Sequence, residues 1–183
     1  NSAGVGGAIS RSTVNNSMLW SNSASSSGGG AYYAMLMNCA LIGNLATNGG
    51  GAAYGTLNNC TLTGNSADEG GGTLQSTGNN CVVYYNTALM GSNFSGGVFN
   101  YSCTSPLPAS GTNNMIIEPQ LADLFHLGAS SPCQGAGQIA YATGVDIDGE
   151  AWADPPAIGC DDYNAGALAG PLSVATVMFR RIV

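Results

Sequence analysis

Between Gly28 and Met90 a 21-residue unit occurs three times without interruption. The copies are GGGAYYAMLMNCALIGNLATN, GGGAAYGTLNNCTLTGNSADE and GGGTLQSTGNNCVVYYNTALM. Gly28, Gly49 and Gly70 open them. Asn38, Asn59 and Asn80 precede Cys39, Cys60 and Cys81, and Asn44, Asn65 and Asn86 follow five residues after the cysteines. A short fixed period means that each unit stacks on its neighbours, so the chain is a solenoid.

Three glycines in a row, with little Leu, Glu or Lys, exclude a helix pair, because Gly is costly inside a helix. Leucine-rich repeats need several Leu per unit, and here there are one or two. The run Cys60, Thr61, Leu62, Thr63 alternates in polarity and reads as a short strand. A coil of this length holds about three short strands and three turns, each strand about 4.8 Å from its equivalent in the next coil. The expected fold is all-β: a right-handed parallel β-helix of 21-residue coils with an irregular C-terminal cap. Inward columns are expected at Leu19, Leu41, Leu62 and Val83, at Ser17, Cys39, Cys60 and Cys81, and at Leu36 and Leu57. At the turn, Asn22, Asn44, Asn65 and Asn86 should form an amide ladder, each side chain bonded to its neighbour or to turn backbone. The glycines are expected to supply tight corners, partly with positive φ.

Only 7% of the residues are charged, and the net charge is −7 with three basic residues, Arg11, Arg180 and Arg181. Clustered Lys and Arg are absent, which argues against nucleic acid and against an anionic membrane surface as partners. No apolar run is long enough to insert in a membrane, and no signal peptide is visible. An acidic, lysine-free chain rich in Asn, Ser and Thr suits a secreted or cell-surface location.

Asn1 to Asn22 is one period, and Asn22 to Asn44 is one residue longer, so the Ser23–Ser27 turn carries an extra residue. The chain begins at a turn inside a coil. An uncovered first coil would expose unpaired backbone, so a fragment is expected, or else another chain covering that end. The coils are expected over 1–104, an irregular cap over 105–170, and a tail or the start of a following domain over 171–183. The period fails after Gly91, and residues 93–101 read as one more, irregular coil. Outward positions of the cysteine-bearing strand form an unusually apolar face. It includes Met18, Ala40, Thr61 and Val82, then Trp20, Ile42, Thr63 and Tyr84. Two readings stand: a neighbouring segment packs over this face, or Trp20, Ile42, Thr63 and Tyr84 form a platform for sugar rings or a protein partner. Tyr33, Tyr54 and Gln75 are a second, weaker column.

The coil pattern NNCTLTGNSA–GGG, followed by NYSCTSPLP, EPQL, SSPCQGAG, DIDGEAWADPP and IGCDDY, resembles the C-terminal portion of large secreted bacterial right-handed β-helix repeat proteins. Their fold is similar to that of the pectate-lyase-like superfamily, and they often also carry anchoring or immunoglobulin-like domains. The resemblance covers roughly residues 1–170. It implies fold and extracellular location more than activity, since most such proteins have no established one.

Cys39, Cys60 and Cys81 stack in register with parallel Cβ vectors, which suits buried free thiols better than bridges. Cys133 and Cys160, in the nonrepeating end, are expected to form a disulfide stapling a loop-rich cap. Cys103 pairs with Cys81 or stays free. A lyase of this fold would need an acidic calcium cluster and a basic Arg or Lys, and a glycosidase would need paired carboxylates. The coils offer only Asp68, Glu69 and Arg11, so no catalytic residue is assigned and no enzyme is expected. Asp146, Asp148 and Glu150 form the best ligand-like cluster: either a calcium site or an acidic turn bonding backbone. No other cofactor is expected. The leading expectation is a non-catalytic extracellular stalk or interaction surface, for adhesion or contact with polysaccharide or a cell-surface protein. The alternatives are a piece of a carbohydrate-active lyase or hydrolase with its active coils upstream, and a structural protein that self-associates end to end by coil stacking.

Overall fold

The computed structural model describes residues 1–163; the tail or following domain expected at 171–183 lies outside the described residues. The chain winds into a parallel β-solenoid with three five-stranded parallel sheets. The first sheet stacks Thr13–Asn15, Met35–Met37, Thr56–Asn58, Thr77–Asn79 and Val98–Asn100. The second stacks Met18–Trp20, Ala40–Ile42, Thr61–Thr63, Val82–Val83 and Cys103–Thr104. The third stacks Ile9–Ser10, Ala31–Tyr32, Ala52–Ala53, Thr73–Leu74 and Phe94–Ser95.

Register follows the sequence period. Leu19 pairs with Leu41, Leu41 with Leu62 and Leu62 with Val83, all buried. The extra residue of the second coil is absorbed as a bulge within Ser23–Ser27, where Ser2 pairs with Ser23 but Val5 with Ser27. The last coil is more regular than its sequence suggests. Thr73 pairs with Phe94, Thr77 with Val98 and Val82 with Cys103, still at the same period. The backbone tolerates divergent side chains there because parallel pairing is made by peptide groups.

The core lies between the three sheets. In the first sheet the inward column is Val14, Leu36, Leu57, Gly78 and Phe99. Gly78 breaks the leucine column because the Phe99 ring fills its place: a Cβ at Gly78 would sit 2.6 Å from Phe99 Cδ1. Phe99 and Phe94, with ring centroids 5.2 Å apart, close the end of the core. The segment after Thr104 returns across this end, with Phe99 N donating to Ser110 O and Tyr101 N to Thr112 O.

The turn ladder is internal. Asn22 Nδ2 donates to Asn44 Oδ1 at 3.0 Å, Asn44 to Asn65 at 2.9 Å and Asn65 to Asn86 at 2.9 Å. The same oxygens accept the backbone N–H of the preceding asparagine, and the amides also donate to Leu19, Leu41 and Leu62 carbonyls. The ladder ends at Asn93, whose Oδ1 accepts from Asn86 and whose amide donates to Ser105 O. Asn93 stands where the earlier coils have Gly30, Gly51 and Gly72. The substitution that breaks the sequence repeat therefore terminates the buried ladder, since the next coil offers no amide to do so.

Candidate functional site

The outward face of the second sheet is not an open platform. Ala40, Ile42, Thr61, Thr63 and Val82 are all buried. They lie beneath residues 115–163, which fold back along the solenoid as a strap. Phe125 and Cys160 pack on Ala40 and Ile42, while Leu127, Cys133 and Ile158 pack on Val82 and Cys103. Thr63 Oγ1 donates to Leu124 O at 2.6 Å, and Tyr84 OH donates to Ile116 O at 3.4 Å. Of the four residues expected to form the platform, Ile42 and Thr63 are buried and Tyr84 is half-buried; Trp20, at the first coil, stays 56% exposed. The apolar outward column thus has the packing role rather than the platform role.

A second asparagine column docks the strap. Asn16, Asn38, Asn59 and Asn80 occupy the corner between the first and second sheets with φ of 43°, 54°, 46° and 50°. Asn tolerates this left-handed conformation better than most residues. Asn80 Oδ1 accepts from Gln138 N and its amide donates to Gln138 O, both at 2.9 Å. Asn38 donates to Thr143 O at 2.9 Å and Val145 O at 2.7 Å, and Asn16 donates to Val145 O at 3.0 Å and to Asp146 O. The strap therefore runs from the last coils towards the first, opposite to the winding. Asn38 and Asn80 are conspicuous in the sequence, but what docks on them is set far along the chain; Asn59, between them, accepts from Asn80 Nδ2 at 3.4 Å instead.

Asp146, Asp148 and Glu150, the expected calcium set, do not converge as three ligands. Asp146 is fully buried and takes backbone donors on both oxygens: Asp148 N at 3.0 Å and Glu150 N at 2.8 Å on Oδ1, and Asp162 N at 3.1 Å on Oδ2. It organises the turn and ties it to residue 162, which is the acidic-turn reading. Asp148 turns instead towards His126 and Asp161.

That second grouping was not singled out from sequence, although His126 is the sole histidine of the chain and Asp123 precedes it by three. Asp123 Oδ1 accepts Phe125 N and His126 N, both at 2.9 Å, and Oδ2 lies 2.6 Å from His126 Nδ1. His126 Nε2 is buried, 3.0 Å from Asp148 Oδ2, and makes no well-directed hydrogen bond. Asp161 Oδ2 accepts Leu127 N at 2.7 Å. Burial acts to lower the His126 pKa, but the Asp123 hydrogen bond and the charges of Asp123, Asp148 and Asp161 outweigh it and raise it. Burial, reinforced by Asp146 and Asp148 and opposed by Leu127 N–H and His126, pushes the Asp161 carboxyl up to about 6.

All six cysteines are free and buried. Cys133 and Cys160 do not pair. Cys133 packs with Val82 and Cys103, whereas Cys160 sits beside Ala40 and Ile42, at another level of the solenoid. Cys103 faces out to the strap and Cys81 into the core, so these two do not pair either. The thiols of Cys39, Cys60 and Cys81 each donate to the carbonyl two residues earlier, at 3.1, 3.3 and 3.3 Å. Ser17 and Ser102, which flank this column, make the same bond at 2.7 and 2.9 Å. The column is a set of corner hydrogen bonds rather than a metal or redox site. Burial pushes Cys60 well above the usual thiol range. A thiol-reactive dye should label none of the six at an appreciable rate in the native protein, and all six after unfolding without reductant. Fewer than six on unfolding would show a disulfide, and rapid native labelling would show that the core column is open.

The strap leaves the first sheet and the corner beside it uncovered along most of their length. The sheet's outward residues include the half-buried Thr56, Thr77, Asn58 and Asn100, with the buried Asn79 between the last two, and the asparagines form a ladder with both links at 2.9 Å. Thr143, beside Met37, and Thr112, on Asn100, touch its margins. At the adjoining corner Tyr33 and Tyr54 are stacked, 5.1 Å apart at 16°, and are 52% and 39% exposed. Both hold positive φ, 48° and 57°, as do Arg11 and Gln75 in the same column. A bulky residue in this conformation is uncommon and marks a side chain worth examining for function. The sequence matches no protein-family model and no curated protein.

Proposed function

We propose that this solenoid is a non-catalytic module of a secreted or cell-surface protein, and that its first sheet and tyrosine corner contact neutral polysaccharide. The observation that carries the reading is the chemistry of the open face. Its amide ladder offers donors and acceptors, Tyr33 and Tyr54 border it, and the strands contribute no charged outward residue. Neutral polyhydroxyl chains are recognised by such amides and by aromatic surface, whereas a highly charged partner would call for more charge than Arg11, the one charged residue of the tyrosine column, supplies. The strap gives the surface stiffness by bracing successive coils along the second sheet. The coils' own acids do not support catalysis: Glu69 Oε1 accepts Ser95 Oγ at 2.6 Å, and Asp68 stands beside it in sequence with no basic partner among the described residues. The resemblance to secreted bacterial β-helix proteins supports the extracellular location.

Glycan arrays and insoluble-polysaccharide pull-downs test this. Tyr33→Asn/Tyr54→Asn removes both rings while supplying a residue that favours the left-handed corner. We expect binding to a neutral glycan to fall about tenfold or more in this double variant, and to change less than about twofold in Trp20→Ala, which lies on another face. Failure of the wild-type protein to bind any neutral glycan, or equal binding by the tyrosine variant, would sink the proposal.

A further inference from the structure

We propose that His126, Asp148 and Asp161 form a binding site for one divalent transition-metal cation of the zinc class, which locks three loops of the strap together. The ligand atoms come from the turn between the bridged Leu121 and Leu127, the turn between the bridged Val145 and Ala151, and the segment ending at Asp162. They lie within 4.8 Å of one another. Zinc bonds of about 2.0–2.2 Å at tetrahedral angles put ligand atoms about 3.3 Å apart. The His126 Nε2–Asp148 Oδ2 pair, at 3.0 Å, is already near that separation. The longest pair has to close by about 1.5 Å or less, and Asp148 is carried by an open turn next to Gly149, whose φ is +91° with no neighbour within 4 Å of an added Cβ.

Two features distinguish this group from a patch of acids. His126 Nε2 is buried without a directed hydrogen bond and faces two carboxylates. Its other ring nitrogen is held by Asp123, itself fixed by two backbone N–H groups, which is the carboxylate–histidine arrangement that orients an imidazole towards a metal. The donor set selects the metal class. One imidazole and two carboxylates suit zinc and its first-row neighbours, whereas calcium takes six or more oxygens. The side chains of His126 and Asp148 are 20% and 11% exposed, which leaves room for a water as fourth ligand. Asp146 and Asp162 hold backbone N–H groups, so they support the loops that carry the ligands.

The test uses tag-free, chelator-treated full-length protein and zinc chloride, with calcium chloride and magnesium chloride as separate arms. We expect one equivalent of zinc to bind, and a rise of about 5 °C or more in the unfolding midpoint at roughly hundredfold excess over Kd. Because His126 is the sole histidine, one nitrogen NMR resonance pair reports the outcome directly: zinc should shift Nε2 and leave Nδ1 protonated. Cobalt substitution should give a d–d spectrum without a thiolate-to-cobalt charge-transfer band. Asp148→Asn, checked for folding by circular dichroism, should weaken zinc binding at least tenfold. An unmoved Nε2 resonance in the wild-type protein, a thiolate band, or calcium binding that matches zinc and ignores Asp148→Asn would each overturn the proposal. The wild-type resonance decides even where the variant fails to fold.

Discussion

Replacing Asn65 by Ala is expected to destabilise the protein by about 4 kcal/mol or more, and to lower its unfolding midpoint by roughly 10 °C. The side chain is fully buried in the middle of the internal ladder. Its Oδ1 accepts both Asn44 N and Asn44 Nδ2, and its Nδ2 donates to Leu41 O and Asn86 Oδ1. Truncation strands donors and acceptors on two neighbouring coils at once. Each buried unsatisfied group costs about 1–3 kcal/mol, more than the bond it had made was worth. Asn65→Asp should do no better, since it keeps the oxygens but loses the donors and buries a charge. Asn22→Ala, in the first coil, should cost about half as much, because its Oδ1 accepts only the Asn1 nitrogen, at 3.4 Å. Chemical denaturation of the three variants checks the ranking. An Asn65→Ala protein within about 1 kcal/mol of wild type would show that water can replace the ladder.

Gly50→Ala is expected to abolish folding, or to cost more than about 4 kcal/mol where some fold survives. The cause is not backbone conformation, since Gly50 does not hold a positive φ. A Cβ there would sit 2.3 Å from Ser66 O and 2.5 Å from Gly71 O, carbonyls of the next coil. Peptide groups in stacked coils have no room to yield, because the spacing is fixed by their own hydrogen bonds, such as Gly50 N to Gly70 O at 3.1 Å. Gly64→Ala provides the contrast. Gly64 has φ +65°, yet an added Cβ would meet only Gly43 N, at 3.8 Å. That variant should fold and cost about 1 kcal/mol. Comparable losses at the two positions would refute the assignment of close approach at Gly50.

The two glycines illustrate how far the repeat could be read. A triplet at a fixed period announces tight corners, and Gly49 does hold φ +61°. The distinct role of the middle glycine is invisible until the neighbouring coil is in place. Cys133 and Cys160 show a similar limit. Both are buried in the strap, but their pairing depends on the level at which each segment meets the coils, and Cys133 meets Cys103 instead. Asp148 likewise stands in a sequence cluster with Asp146 and Glu150, while its spatial neighbours are His126 and Asp161, from other turns.

Sequence by itself determined the coil: its period, its three-stranded cross-section, the leucine and asparagine columns and the extra residue at Ser23–Ser27. These are local and repeated, and a parallel stack copies each local choice into a register with the next coil. It also determined that the outward face of the second sheet is too apolar to be bare solvent surface. Only the tertiary structure decided what covers that face, what docks on Asn16, Asn38 and Asn80, and which carboxylates surround His126. Residues 115–163 carry no period, so nothing local sets where they lie along the solenoid. Their place is set by burying Phe125, Leu127 and Ile158 on the second sheet while pairing strap carbonyls with corner amides, contacts made between residues as many as 130 positions apart.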